Sequence, residues 1–253
     1  MAINVDSVYK TVLLILNQEQ RGYITPDEFN KTSTQVQLDI FERYFEDLNQ
    51  QLRVPQADFD YSNRQIDIDD NISTFKCIGD CAFSNGKFSL PTTDDTTGNT
   101  VVYNDYPTSN EFSFYRLGTI TYQKPGASYP NEIERLQRID YYNINKSKLT
   151  VPSKNYPVYL YESNSLFISP SSVTNGVKAS FLRKPKNVVW NFTSTNGYYE
   201  YDESNSVDFE LNLSEQTNVI TRVLLYAGVV IKDPTIIQVA SQQIQQEEQN
   251  AKS

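Results

Sequence analysis

The chain has 253 residues, 38% of them hydrophobic, with 18 Tyr and 13 Phe. That is enough for a proper core in one large domain or two small ones, and too apolar for a disordered chain. Its 31 acidic and 22 basic residues leave a net charge of −9, which argues against binding a phosphate backbone by counterion release. Histidine is absent, which excludes Ser-His-Asp and Cys-His catalysis.

A first helix starts at Asn4 or Asp6, either of which can cap it, and Val5, Val8, Val12, Ile15 and Leu16 recur on one face. Gly22 breaks the chain. Thr25-Pro26-Asp27-Glu28 then opens a second helix, with Thr25 as N-cap, Pro26 at the first helical position and Glu28 completing a capping box. Phe29, Val36, Ile40, Phe41, Tyr44, Phe45, Leu48 and Leu52 stripe that helix, which stops before Pro55. The short loop between the two predicts an antiparallel hairpin.

The middle of the chain changes period. Ile66-Asp67-Ile68-Asp69 alternates as a half-buried strand does, and Asn85-Gly86 between apolar runs predicts a type I′ hairpin over 82–90. Pro91 to Gly98 is a polar loop. Further strands are expected at Phe112–Tyr122, Val158–Tyr161, Leu166–Ile168 and Val177–Arg183, with 161–166 as a second hairpin. Such spacing points to an antiparallel sandwich or barrel. Beyond Trp190 a polar, Tyr- and Asn-rich passage leads to Ser214, the cap of a helix carrying Val219, Ile220, Val223, Leu224, Ala227, Val230 and Ile231. Asp233-Pro234 starts a last helix with Ile236, Ile237, Val239, Ala240 and Ile244. The expected fold is α+β: a helical bundle from 1–55 and 212–253, with an antiparallel β-sandwich or barrel inserted over 56–211. No apolar run is long enough to span a bilayer and no basic n-region opens the chain, so a soluble protein without a secretory signal is expected.

Few residues offer chemistry. Cys77 and Cys81 cannot complete a zinc site without further Cys or His, and read as two reduced thiols at a strand edge. Asp67, Asp69 and Asn71 begin like a calcium loop, but Ile72 and Ile78 stand where Gly and Glu are required. Glu132/Glu134 and Glu200/Asp202 share a strand face if extended, which permits glycosidase-type pairing but is also how an acidic solvent face looks. Arg183-Lys184-Pro185-Lys186 is the one dense basic cluster, and a charged strand exit explains it. No Gly-x-Gly and no Gly-Lys-Ser/Thr occurs, so nucleotide-binding loops are missing. The tyrosines suit sheet faces and subunit contacts better than a defined stacking platform. No catalytic, metal-binding or cofactor-binding residue is therefore expected, and no cofactor.

Three segments carry a resemblance: Gly22-Tyr23-Ile24-Thr25-Pro26-Asp27-Glu28-Phe29-Asn30 with Gln35 to Phe41, Ala179-Ser180-Phe181-Leu182-Arg183-Lys184-Pro185 with Trp190, and Leu224 to Pro234 with Gln238 to Gln246. Together the chain resembles the virion ring proteins of crAss-like, short-tailed bacteriophages and, more distantly, the head-to-tail adaptors of short-tailed phages. The stretch from Pro91 to Pro157 takes no part in it. The resemblance implies a ring of twelve copies at the head-to-tail connector or tail barrel of the virion, assembled in the host cytoplasm. Its partners would be the portal protein and neighbouring tail rings, with genomic DNA passing through the lumen unread and no membrane involved. A C-terminal helix docking on the adjacent ring would use Ile236, Ile237, Val239, Ala240 and Ile244. Two other classes stay open: a carbohydrate-binding or adhesin-like β module, and a hydrolase with a carboxylate pair.

Overall fold

The computed structural model describes residues 2–18, 23–51, 64–103, 111–195, 198–231 and 238–246. In chain order the elements are α1 (Val5–Gln18), α2 (Pro26–Gln51), α3 (Arg64–Ser73), β1 (Lys76–Asp80), β2 (Phe83–Ser84), β3 (Lys87–Ser89), β4 (Thr100–Val102) and β5 (Glu111–Tyr122). There follow β6 (Asn131–Glu132), β7 (Glu134–Arg135), α4 (Arg138–Lys146), β8 (Val158–Glu162), β9 (Ser165–Ser169) and β10 (Val177–Arg183). The chain closes with β11 (Phe192–Thr195), β12 (Tyr198–Tyr201), α5 (Gln216–Ile231) and α6 (238–246). The fold is α+β and divides into two compact units: a terminal unit, Met1–Thr74 with Pro185–Ser253, and an inserted unit, Phe75–Lys184.

Local chemistry sets the helix starts in the terminal unit. Asn4 Oδ1 accepts the Ser7 N–H at 2.9 Å, and Asp208 reaches across the sequence to accept the Val5 N–H at 2.8 Å. At α2 the capping box is closed from both sides: Thr25 N–H donates to Glu28 Oε2 at 2.9 Å, and Glu28 N–H donates to Thr25 Oγ1 at 3.3 Å. Phe29, Val36, Ile40 and Phe41 are buried along α2, and α5, with Val219, Val223 and Ala227 buried, lies against both α1 and α2. Arg222 is buried on α5; its guanidinium donates to half-exposed Asp39 of α2 at 2.5 Å and to Asn218 at 2.7 Å, so the buried charge is paired.

A polar ladder holds the chain's return to this unit. Asn30, Thr34 and Gln37 stand on successive turns of α2, and 186–190 runs beside them extended. Asn30 both accepts from Trp190 N–H (2.7 Å) and donates to its carbonyl (3.2 Å). Thr34 does the same for Val188 at 3.1 and 3.4 Å. Gln37, 1% exposed, donates to the Lys186 carbonyl and accepts the Glu210 N–H. A helical turn rises about 5.4 Å and two strand residues about 6.6 Å, so alternate backbone groups can meet successive turns. Val189, between them, pairs instead with Val207. Trp190 sits in an aromatic cluster with Tyr9 (4.4 Å between centroids), Phe192 and Tyr201, and its indole N–H donates to Asp6.

Two expectations are corrected here. Residues 66–69 are not a strand: they lie in α3, where Ile68 and Ile72, four apart, are buried and Ile66 faces out. The Ile-Asp alternation spans too few residues to outweigh that helical pair. The unit boundaries also fall at 74/75 and 184/185 rather than 55/56 and 211/212, because α3 touches α2 and the ladder fastens 186–190 to α2.

The inserted unit holds two five-stranded sheets. One runs β1-β10-β5-β4 with β6 also on β5, the other β2-β3-β9-β8-β7. Pairing is antiparallel except β4–β5 and β7–β8, which are parallel. Ile120, Tyr122, Val177 and Ala179 from the first and Phe88, Leu166 and Ile168 from the second fill one core, so the sheets enclose it as a sandwich. Asn85 and Gly86 have φ of 51° and 77°, and Ser163 and Asn164 of 50° and 53°, the left-handed pairs that type I′ hairpins need. The polar loop after β3 is fastened to β1: Asp95 N–H donates to the Ile78 carbonyl, and a Cβ on Gly79 would come within 2.3 Å of the Thr93 carbonyl.

Candidate functional site

The residues with chemical potential are mostly committed to structure. Cys77 packs with Val101, Phe112 and Phe181, whereas Cys81 belongs to the sandwich core. Burial, with Asp80 nearby, pushes the Cys81 thiol up to about 12, so it stays protonated and inert. Cys77 lies on the edge strand β1 and Cys81 just beyond its end, as the sequence suggested, and both are buried.

Asp67, Asp69, Asp70 and Asn71 lie on helix α3, which a calcium loop cannot be, and the described residues contain no group of three or more His, Cys, Asp or Glu able to hold a metal. Glu132 and Glu134 flank buried Ile133 but join different sheets, β6 on β5 and β7 on β8. Asp202 is occupied: it accepts from Asn205 at 2.7 Å, Asn191 at 3.0 Å and Ser204 N–H at 3.1 Å. The Asn205 amide leads in holding its carboxyl below the usual range. It closes the turn after β12, and Glu200 is left on the strand without it as a partner.

Arg183 ends β10, where the sequence placed a charged strand exit, but it does not face solvent. It is buried, its guanidinium 4.4 Å from the Phe112 ring centre and 5.4 Å from Phe75. Of the C-terminal docking candidates, Ile236 and Ile237 lie outside the described residues. Ala240 and Ile244 are buried within the single chain, and Val239 is 59% exposed. In this conformation α6 therefore offers an outside partner Val239 rather than the full set.

What the sequence reading missed is the excursion 136–157, between β7 and β8. Apart from Pro152 and Pro157 it contains no buried residue, yet Leu149 is 97% exposed, Tyr156 81% and Ile139 73%, with Tyr142 and Val151 half-exposed. Polar contacts fasten it: Leu136 N–H donates to the Tyr159 carbonyl at 2.9 Å, and Ser169 Oγ donates to Asn145 Oδ1 at 2.6 Å. Lys124 donates to Asn155 at 3.1 Å. At its root lies an open groove of about 530 Å³ lined by Arg135, Leu136, Gln137, Arg138, Leu160, Tyr161 and Glu162. Arg135 stacks 5.5 Å over Tyr161, and Arg138 pairs with Glu162 at 3.6 Å. The arrangement is an open groove with two guanidinium groups and one carboxylate on its wall, beside an exposed apolar excursion.

No protein-family model matches the chain, and no curated protein matches it. Among the described residues no helix is long and apolar enough to cross a membrane.

Proposed function

We propose that this chain is a non-enzymatic structural subunit of a phage virion, one copy of a closed ring in the head-to-tail connector or tail barrel. Its partners in this reading are further copies of itself, in a ring of twelve, together with the portal protein and neighbouring tail rings. Val239 on α6 is the described residue through which the C-terminal segment would meet the next ring. Genomic DNA passes the lumen without being read.

The observation that carries the reading is the apolar surface left standing in water. The inserted unit has a core of its own, yet Leu149, Tyr156 and Ile139 are 97, 81 and 73% exposed on the excursion. A monomer gains nothing from that surface, whereas a subunit buries it on assembly. Two further features support it. Asp202 is tied into a turn, and Cys77 and Cys81 are buried in cores. The net charge of −9 suits a wall past which DNA slides without being held.

Electron microscopy of the purified chain, alone and mixed with a candidate portal protein, tests the proposal. Closed rings in either sample are expected. Single copies in both would refute it.

A further inference from the structure

Charge is divided unevenly between the two units. The terminal unit holds ten basic and twenty-two acidic residues, a net −12, and the inserted unit twelve against nine, a net +3. Within the inserted unit the whole excess lies in the excursion 136–157, which carries Arg138, Lys146, Lys148 and Lys154 against Asp140. The rest of that unit has eight residues of each sign. Three strongly exposed apolar side chains, Leu149, Tyr156 and Ile139, therefore share one short segment with the net positive charge of the inserted unit.

We propose that this excursion is a docking arm that binds head-to-tail on the acidic terminal unit of a second copy of the chain. The inference rests on the ring reading above and names the contact that would build the ring. Ile139, Leu149 and Tyr156 supply apolar area, and Lys146 and Lys148 supply charge opposite to the −12 of the unit they meet. The groove at the root, with Arg135 and Arg138 on its wall, takes an acidic side chain of the neighbour. Because arm and acceptor are different surfaces, the contact is heterologous, the kind that builds a ring when its rotation closes and an open filament when it does not. A nucleic acid is a poorer occupant, since phosphates give no cover to isoleucine and leucine. An anionic membrane is poorer too, since its surface potential repels a unit of −12.

Sedimentation velocity of the full chain decides it, comparing wild type with I139S/L149S/Y156S and with K146E/K148E, each checked by thermal melting. Wild type is expected to self-associate, less so as salt rises. Both variants should associate at least about tenfold more weakly, as loss of central anchors does, and melt at the wild-type temperature. Unchanged association in the variants overturns the arm while leaving a ring built through another surface. A lowered melting temperature in both variants also overturns it, by showing that the arm is covered within its own chain. Wild type that stays single in solution overturns the arm as a self-docking surface, and the ring reading is then judged on the portal mixture alone. Binding of duplex DNA or of phosphatidylserine vesicles by wild type, lost in K146E/K148E while self-association persists, assigns the arm to another partner and overturns it as well.

Discussion

Asp94 shows how single residues hold the inserted unit together. It is 1% exposed and accepts from the Thr97 hydroxyl at 2.6 Å, the Thr97 N–H at 2.9 Å and the Ile78 N–H at 3.2 Å. Burial pushes its carboxyl up, but these donors outweigh burial and hold it below the usual carboxylate range. The folded value being depressed, Asp94 adds stability above the unfolded value of about 4 and loses it as pH falls through the folded one. Replacing Asp94 with Asn should therefore lower the melting temperature at neutral pH and flatten its fall in acid; an unchanged acid profile would count against this role. Gly79 is a second such point. With the Thr93 carbonyl 2.3 Å from where a Cβ would sit, Gly79→Ala should destabilise by about 1–3 kcal/mol in chemical denaturation. Neither role is legible in sequence, because each depends on a loop folding back over β1.

At the scale of elements, the sequence was readable wherever the cause is local. The Thr25–Glu28 capping box and the Asn85-Gly86 turn involve neighbours in the chain, and β10 alternates buried and half-buried residues along its whole length. The helix α3 was misread because four alternating residues mimic a strand while its buried pair, Ile68 and Ile72, completes only one turn. The ladder was invisible for another reason: Asn30, Thr34 and Gln37 are polar, and nothing in α2 says that their partners lie some 150 residues later. Removing one rung leaves backbone groups unpaired in a half-buried place, so Asn30→Ala should cost about 1–3 kcal/mol by denaturant titration. A loss no larger than that of an exposed asparagine would mean that water replaces the rung. On the surface the excursion 136–157 gave no periodic signal, since α4 buries nothing.

Considered whole, the chain returns from the inserted unit to the helices with which it begins. Ile3 bridges Phe209, Asp208 caps α1, and α5 lies on α1 and α2, so the terminal unit is complete only when both ends are present. The inserted sandwich leaves and re-enters the terminal unit at 74/75 and 184/185. That discontinuity was legible in outline from the helical ends, although its boundaries were not. Charge completes the division, with one acidic unit and one unit whose positive excess is confined to its most apolar projection. In the proposed reading, a chain so divided meets its own kind. Native mass spectrometry of the purified full chain, alone and with a candidate portal protein, measures this directly. One closed oligomer of fixed copy number is expected. A single copy at every concentration, with and without the portal protein, would contradict it.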